Sequence, residues 1–595
     1  MSGMFELLLP RKRMAAVVEG LARQFATERD LALRENDLFE AFAAHCIVRQ
    51  YQRDFDPIDV RGGGPCDLGI DGYAVIIDGD VYTDPAEIRE RIADDRDIDV
   101  RFIILQAKRQ VGFDGDALAK LAEGITQIFS PADLSLRAGK SARRLRECVR
   151  AIYADLDKFE ASGPPRLEAW YASLGVLKPG LLRDKREAAR ARLVNSRQFR
   201  FVDLKLAGAE ELRDYYSDTA PVSAVKFKMP KRIDLPSMPG VKRSMIGVVS
   251  ARELVDRVLL DEHGSRRPHL FDDNLRDFLG TVRNPVNGEI QETLEDATSR
   301  HRFAVLNNGI TIVARALVEV QDRVLVRGPQ VVNGCQTCNV LIANRAALTD
   351  DVWVNVRIIE SSDEDVIDSI VRATNRQTAL NENDLTARHP FQKHVEAYFA
   401  TRPDGREVYF ERRLGQHGSS KAAARVINRR HLIQAYAAMW LGAPQHVTRF
   451  RRLVQDNRAE LFQVRQDPLL YYLSAAAYLQ INRLFGRGLP AQYRAARFHL
   501  VHALKLVSFG SGQPPADEET LARASVPLLD VLWDLDRLRG IVSRLLPVID
   551  AALVPDGGLS ALGAAVGTQE FTERFQRAVL ELARTGVRAE SHVAA

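Results

Sequence analysis

The stretch that decides the fold of the first third of the chain reads Gly69-Ile-Asp-Gly-Tyr-Ala-Val-Ile-Ile77, and Arg101-Phe-Ile-Ile-Leu-Gln-Ala-Lys-Arg109 follows it downstream. The first stretch is rich in β-branched and aromatic residues, and Asp78-Gly79 directly after it is a strong signal for a hairpin turn. The second stretch begins as an apolar run, which is typical of a buried strand. The two stretches therefore predict strands of one sheet, with Asp71 at the point where a loop enters the first strand.

The polar residues of these strands can meet on one face of the sheet. Side chains alternate along a strand, so Gln106 and Lys108 share a face that Leu105 and Ala107 do not. If the strands pair, Asp71 converges with both. A carboxylate and an amide oxygen suit Mg²⁺ or Mn²⁺, and a lysine beside them can orient an attacking water or stabilise charge on a phosphate. The pattern therefore indicates metal-dependent hydrolysis of phosphodiesters.

Each of these residues also has a simpler interpretation. An aspartate in a glycine-rich turn is usually a turn residue, and a lysine at the end of a strand is usually a solvated charge. It is the occurrence of Asp71, Gln106 and Lys108 in this order that favours a functional site.

Gly69 to Gly72, followed by a strand that carries Gln106-Ala-Lys108, resembles the Mrr-like branch of the PD-(D/E)XK nuclease superfamily, in which Gln can replace the second acid. That family often carries a Glu on its first helix. Asn36 to Ala43 predicts the start of a helix, with Asn36 as the candidate N-cap, and Glu40 is the matching position.

The resemblance implies a restriction-endonuclease-like α/β domain that cuts DNA with Mg²⁺ or Mn²⁺. Asp71 and Gln106 would hold the metal, Glu40 would support it or its water, and Lys108 would position the nucleophile. The proline of the family's name is absent before Asp71, and a neutral Gln106 leaves open a site that holds DNA without cutting it. RNA is an open alternative substrate, because phosphate contacts do not identify the sugar.

The central region holds the densest polar signature. Asn307-Asn-Gly-Ile-Thr311 lies within a strand that we predict over 304–314, Gln330 to Thr337 ends a strand predicted over 324–332, and Ala373 to Thr378 follows a helix predicted over 363–372. All three loops are rich in Asn, Gly, Gln and Thr. Such loops offer many donors to an oxygen-rich ligand, and Asn333-Gly334 precedes a predicted helix N-terminus, which favours anions. The alternative is that these are Asn/Gly turns stabilised by their own side chains.

The order of the central motifs resembles the AIPR family, named for abortive infection and phage resistance. The motifs are Leu270 to Gly280, Asn307 to Ile312, Val332 to Thr337, Ala373 to Gln377 and Tyr409 to Arg413. The resemblance implies a bacterial anti-phage defence protein. The candidate ligand- or nucleic-acid-binding residues are Asn308, Asn333, Gln336, Asn375, Arg376 and Arg412.

The fold class that follows is multidomain α/β. We expect a restriction-endonuclease-like domain over 1–219, a linker near 218–240, a central α/β AIPR domain over 240–427 and a mostly helical domain over 428–595. The linker is expected because this stretch is rich in Pro and Lys and lacks periodicity. The helical domain would mediate self-association, as a homodimer, or docking to other subunits of a phage-defence operon.

Composition excludes several classes of protein. Of the 595 residues, 46% are hydrophobic and 27% charged, which is ordinary for a globular protein, and the net charge of +4 gives no global basic field. There is no apolar run long enough for a membrane span and no secretory pattern, so we expect a cytoplasmic protein without membrane contact. Five cysteines do not build a disulfide framework, and Cys335-x-x-Cys338 lacks the second pair that a zinc site needs.

Local basic stretches are the remaining sign of nucleic-acid contact. Lys140 to Arg146, Lys185 to Arg192 and Arg449 to Arg452 can contact phosphates or simply solvate helix surfaces. The second function class is therefore a non-catalytic nucleic-acid-binding or sensor subunit of a restriction or abortive-infection system.

Overall fold

The computed structural model of the chain comprises two compact units. The residues that it describes are 8–52, 55–62, 67–94, 98–134, 138–159, 163–178, 180–217, 224–260, 267, 270, 290–294, 296, 298–345, 348–361, 363, 366–367, 369–370, 390–403, 405–412, 417, 423–463, 465–553 and 562–585. Unit 1 consists of residues 1–49, 53–213 and 387–595, and unit 2 of residues 50–52 and 214–386. Unit 1 thus joins the N-terminal part of the chain to its helical C-terminal part.

The N-terminal part of unit 1 is an α/β arrangement around one sheet. Its elements are α1 (Leu8–Glu28), α2 (Glu35–Val48), α3 (Pro57–Val60), β1 (Gly72–Ile77), β2 (Asp80–Tyr82), α4 (Pro85–Asp94), β3 (Val100–Lys108), α5 (Gly115–Phe129), α6 (Lys140–Tyr153), β4 (Arg166–Ser173), α7 (Arg183–Asn195), β5 (Phe201–Ala207) and α8 (Ala209–Tyr216). The predicted strand pair and hairpin turn are confirmed.

The strand order of this sheet is β2-β1-β3-β4-β5. β1 runs antiparallel to β2 and β3, whereas β3, β4 and β5 are parallel to one another. The start of β1 therefore lies at the same edge as the carboxyl ends of β3, β4 and β5. We call this the carboxyl edge, and it is where an open α/β sheet usually binds its ligand.

The core of this part lies between the sheet and the helices α5 and α6. Leu118, Leu121, Ile125 and Ile128 of α5 recur at helical spacing and pack with strand residues such as Phe102 in one cluster of buried side chains. Asp114 caps α5 by accepting a hydrogen bond from the backbone N–H of Asp116 at 2.9 Å.

Unit 2 contains two further sheets. Its elements are β6 (Ala224–Lys228), β7 (Lys231–Asp234), β8 (Arg243–Ser250), α9 (Ala251–Glu253) with a π-helix over Leu254–Leu259, α10 (Phe303–Leu306), β9 (Ile310–Ala314), β10 (Ala316–Val320), β11 (Arg323–Arg327), β12 (Gln330–Asn333), α11 (Cys335–Ala343) and β13 (Trp353–Glu360). The larger sheet has the order β12-β9-β13-β8-β7 and the smaller one the order β10-β11-β6.

Two expectations for this region need correction. The expected linker over 218–240 contains β6 and β7, whose residues join the two sheets of unit 2. The strand expected over 304–314 begins only at Ile310, because α10 and a turn at Gly309, with φ +76°, come first. The helix expected over 363–372 lies mostly outside the described residues.

The C-terminal part of unit 1 is mostly helical. Its elements are α12 (Pro390–Ala400), β14 (Tyr409–Glu411), β15 (Val426–Asn428), α13 (Arg429–Trp440), α14 (Phe450–Asp456), α15 (Pro468–Gly486), α16 (Arg497–Phe509), α17 (Glu518–Leu532), α18 (Leu535–Ala552), α19 (Leu562–Ala565) and α20 (Gln569–Thr585). α17 and α18 are separate helices, since Asp534 caps α18 by accepting hydrogen bonds from the N–H groups of Asp536 and Arg537. No described helix combines the length and the apolar character needed to cross a membrane.

Ion pairs connect the two parts of unit 1. The acids lie in the N-terminal part and the arginines in the C-terminal part: Asp30 with Arg483 and Arg487, Asp56 with Arg494, and Asp59 with Arg494 and Arg497. The backbone N–H of Ala32 also donates to the carbonyl of Gly486 at 2.9 Å. The helical part is thus bonded directly to the segments that precede β1.

Candidate functional site

Asp71 lies at the carboxyl edge. It directly precedes β1 and is 1% exposed. Its Oδ2 atom accepts a hydrogen bond from the backbone N–H of Ala107 at 2.8 Å and lies 3.5 Å from the Lys108 Nζ atom. Its own carbonyl accepts from the N–H of Gly62 at 2.9 Å. The backbone thus holds this carboxylate beside the end of β3.

Gln106 lies in β3 and is fully buried, with 0% exposure. Among the described residues, neither the nitrogen nor the oxygen of its side-chain amide has a hydrogen-bond partner. A Cβ atom added at Gly69 would lie 3.3 Å from the Gln106 Nε2 atom, so the amide reaches the loop that carries Asp71. Burying an amide without partners costs about 1–3 kcal/mol. Most buried polar atoms have a hydrogen-bond partner, so the nitrogen and oxygen of this amide remain available to a ligand.

Glu40 lies on α2, which packs against β3 and β1. The helix begins at Glu35, so Asn36 is not its N-cap; Arg34 takes that position and makes no side-chain cap. The Arg61 Nε atom donates to the Glu40 Oε2 atom at 3.2 Å. Burial and the nearby charge of Asp71 raise the pKa of Glu40 to about 7. Glu40 therefore lies near enough to Asp71 for the two carboxyl charges to interact.

Asp67 is a further acid of the site that the sequence analysis missed. Its Oδ1 atom accepts from the backbone N–H of Gly69 at 2.9 Å, in a turn whose residues Leu68 and Gly69 both have positive φ angles. This turn folds Asp67 back towards Asp71, close enough for the Asp67 carboxyl to raise the pKa of Asp71. The only signal in the sequence was the short interval between two aspartates beside a glycine.

The pKa of Asp71 is raised by burial, and the neighbouring carboxyl of Asp67 adds to that effect. The charge of Lys108 and the hydrogen bond from Ala107 act in the opposite direction. The site thus collects acidic groups that repel one another and disfavour their charged forms. A cation placed among them would relieve that repulsion.

The loop with these acids is held from below by α5. A Cβ atom added at Gly124 would lie only 2.1 Å from the carbonyl oxygen of Leu68. Glycine is therefore required at this position for the helix to contact the loop backbone. This close contact fixes the position of the loop that carries Asp67 and Asp71 relative to α5.

The oxygen donors of Asp71 and Gln106 decide whether this site fits a metal ion. Among the described residues, no group of three or more His, Cys, Asp or Glu side chains is placed to hold a metal. The expected ligand set is different, since it combines the Asp71 carboxylate with the unpartnered Gln106 oxygen. Mg²⁺ is commonly held by one or two carboxylates, with water and substrate phosphate as the remaining ligands. The two groups fit that pattern.

The candidate residues of unit 2 lie on two neighbouring turns. Asn308 is exposed on the turn before β9, while Asn333 ends β12 and Gln336 lies in the first turn of α11. A Cβ atom added at Gly334 would lie 2.7 Å from the carbonyl oxygen of Gly309, so the turns touch through their glycines. These three side chains therefore share one end of the larger sheet of unit 2.

The other candidates differ in their positions. Asn375 and Arg376 lie outside the described residues. Arg412 belongs to unit 1, where its guanidinium forms an ion pair with Glu396 of α12. The Asn333 side chain accepts from the N–H of Gly334 at 2.7 Å, which is the local turn bond that the simpler interpretation anticipated.

The basic stretch over Lys140 to Arg146 forms contacts within the fold. Arg146 is 4% exposed and donates to the carbonyls of Gln127 at 2.7 Å and Ile128 at 2.8 Å, which end α5. Arg144 pairs with Asp84 at 2.9 Å. These two arginines therefore stabilise the N-terminal part of unit 1.

Comparison with known proteins gives one match. Residues 271–477 match the family model described as AIPR protein. No curated protein and no solved structure gave a significant match. The match covers the central motifs and extends into α15, and it supports the AIPR family for this part of the chain. The carboxyl-edge site lies in the part that the match does not cover.

Proposed function

We propose that this protein, whose residues 271–477 match the AIPR family, is a bacterial anti-phage defence protein that hydrolyses phosphodiester bonds of DNA at the carboxyl edge of its N-terminal sheet. The observation that carries the proposal is the fully buried, unpartnered amide of Gln106 beside the Asp71 carboxylate. Most buried side-chain amides have hydrogen-bond partners, and in Gln106 this unusual amide lies opposite an aspartate and two residues before a lysine.

Asp71 and the Gln106 oxygen would hold Mg²⁺ or Mn²⁺. When bound, such an ion neutralises phosphate charge and lowers the pKa of water. Asp67 supports the set by keeping a second carboxyl within reach of Asp71.

Lys108 and Glu40 would act on the attacking water and the reacting phosphate, and Arg61 would position Glu40. The Lys108 side chain is 40% exposed and 3.5 Å from Asp71, so its ammonium can face the reacting phosphate and stabilise developing charge. Glu40 has a pKa of about 7 and can accept a proton from water near neutral pH. Arg61 holds Glu40 in place by its hydrogen bond at 3.2 Å.

The experiment is a survey of substrates with the purified protein. Plasmid DNA, modified DNA and RNA are each incubated with and without Mg²⁺, alongside Lys108→Ala and the control Lys231→Ala, which removes an exposed lysine of β7. We expect cleavage of DNA only with Mg²⁺, loss of cleavage in Lys108→Ala and full activity in the control. Cleavage of RNA but not of DNA would show that RNA is the substrate. If the wild type cleaves neither, the proposal of a hydrolase is wrong.

A second candidate is a non-catalytic DNA-binding or sensor subunit. The neutral Gln106, at a position where an acid is usual, favours it because the site then carries less charge to attract a metal. Calorimetric titration separates the candidates. DNA affinity without Mg²⁺ or Mn²⁺ binding supports the sensor, and metal binding that Asp71→Asn abolishes supports the hydrolase.

The AIPR-matched region would recognise a nucleic acid or a signal that controls this activity. The helical part would mediate a homodimer or docking to other proteins of a defence operon in the cytoplasm. Light scattering on the purified protein tests the homodimer directly, since a mass near 66.5 kDa would exclude it.

A further inference from the structure

A cavity of about 170 Å³ lies at the carboxyl edge, between the chain that leaves β4 and the end of β5. Its walls include the cationic side chains of Lys178, Arg183 and Arg186 and the apolar side chains of Leu177, Leu181 and Leu206. The cavity is separate from the cluster of Glu40, Asp67 and Asp71, which we call the acidic cluster. Both lie at the same edge of the same sheet.

The chain that leads to the cavity is packed against the segment that follows the candidate lysine. Ser173, the last residue of β4, pairs in register with Lys108, and its Oγ atom donates to the carbonyl of Gln110 at 2.8 Å. A Cβ atom added at Gly175 would lie 2.9 Å from the Cα atom of Gly112. The position of the cavity relative to Lys108 is thus fixed by backbone packing.

The cations of the cavity differ from the other basic residues of the same stretch. Among the described residues, the side chains of Lys178, Arg183 and Arg186 form no ion pair or hydrogen bond. In contrast, Lys185 pairs with Asp116 at 3.1 Å and Arg192 pairs with Glu123. Lys185 and Arg192, at the two ends of the basic stretch, are thus neutralised by acids of the same fold. The cavity, in contrast, keeps a local excess of positive charge.

The spacing suits a nucleic-acid strand. Two strand spacings separate β3 from β5, or about 10 Å. Backbone phosphates follow one another by about 3.4 Å of axial rise along one DNA strand. A strand that enters the acidic cluster can therefore reach the cavity within about three phosphates.

We propose that this cavity binds a backbone phosphate of the substrate strand and so sets which phosphodiester reaches the Asp71 cluster. The proposal rests on the proposed nuclease function for its purpose, although the phosphate contact itself does not depend on cleavage. Guanidinium groups bind phosphate through paired hydrogen bonds, and the half-buried leucines of the walls lower the local dielectric constant and so strengthen the attraction.

The experiment compares two double variants that each remove two cations from the same region of the chain. Arg183→Ala/Arg186→Ala removes the unpartnered cations, and Lys185→Ala/Arg192→Ala removes the partnered ones. Binding of a fluorescent DNA duplex is measured by anisotropy without Mg²⁺, so that cleavage plays no part, over roughly 50–200 mM salt. Thermal unfolding checks that both variants are folded.

The first double variant should bind at least about tenfold more weakly and should lower the slope of log affinity against log salt by about 1, because one phosphate contact is lost. The control should stay close to wild type. Equal effects of the two variants, or wild-type binding by the first, would overturn the cavity assignment even if plasmid is cut. If the slope changes as expected but no substrate is ever cut, the phosphate site stands and the hydrolytic function fails. Absence of any DNA binding by the wild type would overturn both.

Discussion

The backbone N–H of Ala107 donates to the Oδ2 atom of Asp71 at 2.8 Å, and this bond fixes the carboxylate next to the end of β3. The residues on either side of Ala107 are Gln106 and Lys108, which the strand alternation places on the other face from Ala107 itself. One main-chain bond thus sets the position of the acid relative to both the amide and the lysine of the candidate site.

Gln106→Leu should make the protein more stable and less active at once. Leucine removes two buried polar atoms that have no partner among the described residues, which should stabilise the metal-free protein by about 1–3 kcal/mol. It also removes the expected metal oxygen, so Mg²⁺-dependent cleavage should be lost. Calorimetric unfolding and plasmid nicking check the two effects.

Gln392→Leu is the matched control for that substitution. Gln392 lies in α12, is 0% exposed and also lacks side-chain partners among the described residues. It should stabilise the protein similarly without any effect on cleavage. A Gln106→Leu protein that is destabilised, or that cuts like the wild type, would contradict the assignment of Gln106.

Glu40→Gln should change how stability depends on pH. Burial, with Asp71 as the next cause, raises the pKa of Glu40 from its ordinary value of 4.5 to about 7. The folded chain therefore binds the proton more tightly, and the stability from this group is complete below pH 4.5 and lost as the pH rises through about 7. A shift of this size corresponds to roughly 3 kcal/mol.

The variant should consequently gain up to about 3 kcal/mol over the wild type when the pH is raised from about 5 to about 8. Urea unfolding at both pH values measures the difference. A stability difference that does not change with pH would show that Glu40 titrates normally and is not close to Asp71.

Much of the sheet around the site was predictable because its signals are local. The β-rich run before Asp78-Gly79 and the apolar run before Gln106 each identify a strand, and alternation then assigns the faces. The mixed α/β class and the helical C-terminal region are confirmed. The start of β9 was mispredicted because an apolar run that contains Asn307 to Gly309 does not show where helix, turn and strand divide.

The missing members of the site depend on contacts that no local pattern shows. Asp67 reaches Asp71 only because Leu68 and Gly69 adopt positive φ angles, and Arg61 reaches Glu40 across 21 positions of the chain. The packing of the N-terminal part of unit 1 on its C-terminal part could not be predicted either, because the sequence does not show which acid pairs with which arginine. The three-part domain division stays a prediction.

Gly124→Ala should disturb the site without removing any of its polar groups. The new Cβ atom would lie 2.1 Å from the Leu68 carbonyl oxygen, so the loop or the helix must move, at a cost of about 1–3 kcal/mol. Cleavage should fall with stability. Calorimetry and plasmid nicking measure both.

The control is Gly540→Ala in α18, where nothing lies within 4 Å of the added atom. Alanine in a helix is favoured over glycine, so this variant should gain about 0.5–1 kcal/mol and cut normally. If both alanine variants behaved alike, the close approach of α5 to the acidic loop would be wrong.

Asp59→Asn should weaken the connection between the two parts of unit 1. Asp59 accepts hydrogen bonds from Arg494 at 2.6 Å and from Arg497 at 3.0 Å, and the side chains of both arginines are mostly buried. Loss of one partner of a buried ion pair costs about 3–5 kcal/mol because the other charge stays uncompensated. Urea unfolding at neutral pH should show this loss.

The pH dependence of that loss gives a second check. Burial alone would raise the pKa of Asp59, but Arg494 and Arg497 hold it below the ordinary value of 3.8. The advantage of the wild type is therefore complete above that pH and shrinks as the pH falls below it. Asp456→Asn, in an exposed pair with Arg452, should cost less than about 1 kcal/mol and serves as the control. Equal losses in the two variants would count against a buried connection.

The most direct measurement for the central claim is the rate of plasmid nicking by wild type and Asp71→Asn at saturating Mg²⁺, with Asp80→Asn on the exposed start of β2 as the control. Asparagine keeps the size of the side chain and removes only its charge. We predict that the wild type and the control nick at the same rate and that Asp71→Asn is slower by at least about a hundredfold, the scale of a lost charge contact in a transition state. Nicking by Asp71→Asn at the wild-type rate would contradict the account.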